Sequence, residues 1–287
     1  MESPNIKGAI NLAQDGYNIQ LRLGIQGKPK TGKTFASGTF SNPIFASFDR
    51  GLLPLIGRKD VWELPFYDPK FVDSIVKRDG LSLPPNRKDA IIKWLETEGM
   101  KLPKDYTFVL DGNTGLQAAF HQQYWTNPEI SPKTGKIDSF AEWKQKITWF
   151  TEIAMCLKAL PCNVIYICHE ADDRDEKGNL NGNIRPLLSG SFVDELQSHF
   201  TDWFRSLVIP KPITPEEKGK CCAAFSLGPS MLDEWTKSNT SNSIYIWQTQ
   251  GDNKCTGVGT SLTGAPKYIL ASYEQFKKYQ RKVETNE

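Results

Sequence analysis

The sequence predicts an α/β fold with a mostly parallel central sheet flanked by helices, on three observations. Short β-rich apolar runs alternate with stretches of helical periodicity over the first two thirds of the chain. One run is followed at once by a glycine- and lysine-rich turn and then by a helix-compatible segment. Later the runs are joined by polar connections, which predicts antiparallel edge strands toward the C-terminus.

The expected strands are NIQLRLGI (18–25), NPIFASFD (42–49), DYTFVLD (105–111), NVIYICHE (163–170) and FRSLVIPK (204–211). Continuous apolar strands separated by helices are buried on both faces. Residues 85–99 carry Ile91, Ile92 and Leu95 at helical spacing before a closing glycine. Residues 139–160 place Phe140, Trp143, Ile147, Phe150, Ile153 and Leu157 on one stripe. Trp94, Trp143 and Trp149 lie on such stripes and are expected in the core. AAFSLG (223–228) and SIYIWQTQG (243–251) read as strands, with 210–220 and 233–243 as polar connections. The expected organisation is a single domain over 1–287. Within it lie a long crossover at 52–104, a polar insertion at 211–243 and a basic, aromatic helix or tail at 268–287.

Gly27-Lys28-Pro29-Lys30-Thr31-Gly32-Lys33-Thr34 follows the first strand and has the form G-x-x-x-x-G-K-T. Glycines at those positions let the backbone curl so that successive N–H groups face inward as an anion nest, reinforced by the positive end of the following helix. Lys33 is placed to reach β- and γ-phosphates, and the Thr34 hydroxyl to complete a Mg²⁺ shell. A glycine turn with solvated lysines would not require a lysine beside a hydroxyl at this spacing after a strand. These eight residues and Phe35 form the candidate cofactor-binding segment, for ATP with Mg²⁺.

Mg²⁺ also needs a carboxylate near the phosphates. Asp111 supplies one at the end of YTFVLD, and it also suits a cap for the next helix. Orienting an attacking water needs a further group. Asp49 ends the second strand, and His169 and Glu170 end the fourth. His169 reads equally as a γ-phosphate sensor and as a satisfied structural histidine.

Composition bounds these readings without naming a function. The chain has 287 residues, 39% hydrophobic and 24% charged, with a net charge of +2. Such a length buries a substantial core. No apolar run approaches the roughly 20 residues of a membrane span, and the polar start MESPNIKG does not read as a signal peptide. The six cysteines show no CxxC pair, so reduced thiols in a cytoplasmic setting and no structural zinc are expected.

GKPKTGKT, FDRG, YTFVLDGNTGL, LPCNVIYICHE and RPLLSGSF, in that order over about residues 18–210, resemble the phage-encoded RecA-like P-loop ATPases. That family includes single-strand-annealing recombination ATPases. The resemblance implies a RecA-type core with the P-loop strand central and the Asp111 strand one strand away. It implies Lys33 and Thr34 as phosphate and Mg²⁺ ligands, Asp111 as the second metal-shell acid, and His169 as the link between nucleotide and a mobile loop. It also implies a homo-oligomer, ring or filament, with ATP between subunits, single-stranded DNA as ligand, and phage or host recombination or replication proteins as partners. Lys254, with Arg185 behind it, best matches the basic residue that a neighbour contributes.

Two departures qualify this. Many relatives read D-x-E-G after the second strand, where this chain has Asp49-Arg50-Gly51-Leu52. Either Asp49 or Glu170 substitutes for the missing glutamate, or the protein is a nucleotide-gated binder with slow turnover. The loop ADDRDEKGNLNGNI (171–184), where RecA-like proteins contact DNA, sets Arg174 and Lys177 against Asp172, Asp173, Asp175 and Glu176. Phosphate contacts dominate nucleic-acid affinity, so this loop is a poor sole contact. Tyr273, Phe276 and Tyr279 interleave with Lys277, Lys278, Arg281 and Lys282, which suits either a docked helix or a single-strand contact. Trp125, in HQQYWTNPE, reads as part of a polar loop.

Overall fold

The computed structural model describes residues 20–77, 85–174, 179–188, 192–238, 242–255 and 257–280. The strands are β1 (Arg22–Gly27), β2 (Pro43–Ser47), β3 (Trp62–Pro65), β4 (Thr107–Asp111), β5 (Asn163–Arg174), β6 (Leu180–Pro186), β7 (Asp202–Pro210), β8 (Ser243–Gln248) and β9 (Tyr268–Leu270). The helices are α1 (Lys33–Ser37), α2 (Pro69–Ile75), α3 (Arg87–Thr97), α4 (Asn113–Thr126), α5 (Ser139–Ala159), α6 (Phe192–Ser198), α7 (Pro215–Phe225), α8 (Pro229–Ser238) and α9 (Tyr273–Tyr279).

Among the described residues one sheet runs in the order β3-β2-β4-β5-β1-β7-β8-β9, with β6 paired to β5. The pairings from β3 through β7 are parallel, and β8 and β9 join antiparallel. This is the predicted α/β class. β5 lies between β1 and β4, so the segments after β1 and β4 leave the same edge with one strand between them. Each residue of β1 and β4 is buried, because both faces are covered. One core, with Phe108, Tyr166, Phe120 and Trp149, lies under the helices α3–α6. A second packs Leu23, Ile25, Phe45 and Ile165 against Phe40 and Phe276, and a third gathers Leu232 and Trp235 on Ile244 and Ile246.

The ends of α5 explain its direction. Asp138 caps its start by accepting from the N–H groups of Phe140 and Ala141. At its end the Arg22 guanidinium donates to the carbonyls of Lys158, Leu160 and Cys162 and to Leu21 O. The first residue of β1 thereby satisfies a carbonyl in the last turn of α5, the carbonyl of its C-cap Leu160 and that of Cys162 just beyond.

Several expectations change. Residues 223–228 are not a strand: Ala223, Ala224 and Phe225 close α7. Thr214 and Glu217 form a reciprocal capping box, with a proline at the first helical turn, and these set a helix going. The supposed connection 233–243 holds the second half of α8, which buries Leu232 and Trp235 against β8 and β9 residues. The crossover 52–104 contains an extra parallel strand, β3, at the sheet edge. Trp125 lies in the last turn of α4, not in a loop. Trp143, expected in the core, is exposed, as is Phe140. The strand ending at Glu170 continues to Arg174, and β6 pairs antiparallel with this extension; residues 175–178, with Asp175, Glu176 and Lys177, lie outside the described residues. Residues 18 and 19, and Arg281 and Lys282, lie outside them as well.

Candidate nucleotide site

β1 ends at Gly27, and the chain curls through Lys30 (φ 65°) and Gly32 (φ 79°) before α1 begins. Gly32 precedes the helix without a side-chain cap, so the first amides of α1 are left to face a ligand. A Cβ on Gly32 would stand 2.6 Å from the Tyr245 ring, and one on Gly27 would stand 2.6 Å from Ser206 O. Ser206 Oγ also donates to Thr31 O at 2.8 Å, so β7 buttresses the loop from behind. Gly32→Ala combines this clash with a left-handed backbone, which costs roughly 1–2 kcal/mol by itself. Its expected outcome is at least about a tenfold loss of nucleotide affinity, read by titration with a fluorescent ATP analogue.

Lys33 is buried and donates from Nζ to the carbonyls of Gly27 and Lys28, each at 2.8 Å. Burial lowers its pKa, opposed by the nearby charges of Asp111 and Glu170. Thr34 Oγ1 donates to Asp111 Oδ2 at 2.7 Å, across 77 positions of sequence. Burial pushes the Asp111 carboxyl up to about 6, against the pull of the Thr34 hydroxyl and the Lys33 charge. Asp49 lies beside it: a Cβ on Gly112 would stand 3.3 Å from Asp49 Oδ2, and Gly51 N–H donates to Asp49 Oδ1 at 3.1 Å. The loop, Asp49, Asp111 and His169 line one pocket of about 820 Å³. Leu53, Pro54, Phe35, Ile167 and Tyr245 form its apolar walls. That volume suits a nucleotide-sized ligand.

The remaining candidates are placed differently. His169 pairs in register with Gly27 and lines the pocket; burial lowers its pKa, the Lys33 charge adds to this, and its Nδ1 has no hydrogen-bond partner. Glu170, on the opposite face of β5, accepts two hydrogen bonds from Arg205, at 2.8 and 3.0 Å, and is absent from the pocket lining. Lys254 lies outside the pocket, in the turn 252–255, where its carbonyl accepts from Ile184 N–H of β6. Arg185 pairs with Asp173 at 3.0 Å. All six cysteines are free thiols.

Sequence reasoning missed three contributors. Asn113, two residues after Asp111, lines the pocket, accepts from Tyr166 OH at 2.6 Å and donates to Leu187 O at 3.2 Å. It thereby ties the site to the base of the β5–β6 pair, where Leu187 N–H donates to His169 O. Its place in DGN beside the acid was the available signal. Tyr245 and Ser206 come from β8 and β7, and no local pattern marks them.

The geometry therefore joins an amide nest, a lysine, a hydroxyl and a carboxylate at one sheet edge. Residues 19–204 match the family described as AAA domain. The chain belongs to that family. No curated protein matches this AAA-domain chain. Similar solved structures include an ATPase from the type III secretion system of pathogenic bacteria, at 14% identity and a TM-score of 0.35, covering 70% of this chain. The AAA-domain chain spans 53% of that ATPase, about half its length. The flagellar accessory protein FlaH from Methanocaldococcus jannaschii is another, at 13% identity and a TM-score of 0.32, covering 86% of this chain and 83% of its own. Among the described residues no helix is long and apolar enough to cross a membrane.

Proposed function

We propose that this AAA-domain chain is a Mg²⁺-dependent RecA-like ATPase that works as a homo-oligomer on single-stranded DNA, in phage recombination, annealing or replication. The observation that carries the ATPase reading is the meeting of Thr34 Oγ1 and Asp111 Oδ2 at 2.7 Å beside Lys33. A hydroxyl and one carboxylate suit Mg²⁺, which keeps several waters and takes few protein ligands. Among the described residues no group of three or more His, Cys, Asp or Glu side chains is arranged as a protein cage for a metal. Thr34 and Asp111 would hold the ion, which when bound offsets the charge of the phosphates.

The protein's own residues have distinct roles in this reading. The amides from Pro29 to Thr34 bind the phosphate tail, and Lys33 neutralises charge that develops as water displaces ADP from the γ-phosphorus. Asp49, at the pocket wall, orients that water and takes its proton. His169, with a pKa lowered by burial, lines the pocket wall as a neutral side chain. The apolar walls at Leu53, Pro54 and Tyr245 suit the base. A neighbour's Lys254 or Arg185 supplies the cation that the pocket itself lacks beyond Lys30 and Lys33.

One observation favours a second reading, a nucleotide-gated assembly protein with little turnover. Glu170 is held by Arg205, which leaves Asp49 as the carboxylate at the pocket able to activate water. Steady-state ATP turnover with and without single-stranded DNA separates the two. The expected result is DNA-stimulated turnover that Lys33→Ala abolishes, and partial recovery when Lys33→Ala and Lys254→Ala subunits are mixed. ATP binding with no turnover under either condition would select the gated binder.

A further inference from the structure

We infer that the corner where α4 meets α5 is the single-stranded DNA platform of this protein, with Phe140 and Trp143 as a stacking surface and Lys133, Lys136 and Lys144 as phosphate contacts. This rests on the single-strand reading above and gives it a location.

The corner is joined by His121 Nδ1 to Glu142 Oε1 at 2.6 Å and by Tyr124 OH donating to Asp138 O at 3.1 Å. Phe140 and Trp143 are 68% and 39% exposed, and their rings stack with centroids 5.9 Å apart. Trp125, at the end of α4, is 58% exposed. Lys144 stands one turn beyond Phe140 on α5, and Lys133 and Lys136 lie exposed in the connecting loop. None of these three ammonium groups has an ion pair among the described residues. Glu129, Asp138 and Glu142 share the corner and keep their charge while accepting from Gln145, from the first amides of α5 and from His121, so the three lysines act as local phosphate contacts and not as a net positive field.

Position supports the same assignment. Arg22 fixes the end of α5 at the start of β1, so the helix runs against the parallel strands. Its 21 residues span about 31 Å, whereas the six of β1 span about 20 Å. The start of α5 therefore reaches beyond the ends of the short strands β1 and β4, which carry the nucleotide pocket, while β5 runs on past them. α4 connects the two directly, since its first residue, Asn113, lines the pocket and its last turn carries Trp125.

The alternatives on this molecule are weaker. α9 turns Phe276 into the core beside Phe40 and Phe204, and Tyr273 packs on Phe40, so the aromatics of the C-terminal basic segment are occupied. The β5–β6 pair presents Asp172 and Asp173, with Arg185 already paired. A protein partner fits the corner less well, because interface cores are depleted of lysine. Exposed ring faces beside free ammonium groups match a strand whose bases can stack while its phosphates meet cations, and a duplex offers no such bases.

The test uses the full chain with ATP and Mg²⁺ and a fluorescein-labelled thymidine oligonucleotide of about 30 residues, several times a typical single-strand site. Anisotropy gives the affinity, and ATP binding is measured in parallel. Phe140→Ala with Trp143→Ala is expected to weaken DNA binding at least about tenfold with ATP affinity unchanged. Lys133→Gln, Lys136→Gln and Lys144→Gln together are expected to flatten the salt dependence by about two units of slope. Wild-type affinity in both variants would overturn the location and leave the proposed function standing. ATP binding without DNA binding by the wild type would overturn both. A change only in sedimentation, or tighter binding of RNA than of DNA, would assign the corner to a second copy or to RNA instead.

Discussion

Asp111→Asn is expected to lower Mg²⁺-dependent ATP turnover at least about a hundredfold while stabilising the metal-free protein. The first effect follows from removing the carboxylate that meets Thr34 beside Lys33. The second follows from burial. The folded carboxyl titrates near 6, above its ordinary 3.8, because desolvation outweighs its hydrogen bonds and the Lys33 charge. Its contribution favours the folded state below about pH 4 and is lost as the pH rises through 6. In EDTA at pH 8 the asparagine variant should be more stable by on the order of 2–3 kcal/mol, and at pH 4 the two proteins should converge. Thermal melts in EDTA at both pH values check this, and equal melting at pH 8 would contradict it. Asp49→Asn, which removes a nearby like charge, should lower turnover and bring the Asp111 titration closer to its ordinary range.

Arg22→Met should destabilise the fold by on the order of 3 kcal/mol. The guanidinium is buried and meets four carbonyls at 2.6–3.0 Å, with no carboxylate among these partners. Its removal strands the carbonyls of Lys158, Leu160 and Cys162 in a site that methionine fills without donors. Lysine should rescue little, since one ammonium cannot reproduce the planar fork. Urea unfolding is the measurement, with a lowered midpoint and an unchanged slope expected. A midpoint shift worth less than about 1 kcal/mol would mean that water replaces the guanidinium there.

These two residues differ in how they can be recognised. Asp111 is legible because an apolar run ends in an acid at a place where a preceding G-x-x-x-x-G-K-T demands one. Arg22 looks like any polar residue in a strand; its role depends on the end of a helix more than 130 positions later. Polar composition alone predicts connections where α7 and α8 stand, whereas a capping box and an apolar stripe of Leu232 and Trp235 are helix signals at short range. Phe140 and Trp143 show the opposite failure. Their spacing predicted a buried stripe, but α5 extends beyond the layer that would cover them, and periodicity carries no information about helix overhang.

The phosphate loop, the strand-end acid and the alternation that makes a parallel sheet belong to the sequence alone, because each depends on residues within a few positions of one another. Tertiary structure decided which strand separates β1 from β4, that Glu170 faces Arg205 rather than the pocket, and that Tyr245 and Ser206 support the site. Those outcomes depend on the order of strands in the sheet and on the face each side chain takes. Contacts between distant segments set both, and no local pattern encodes them.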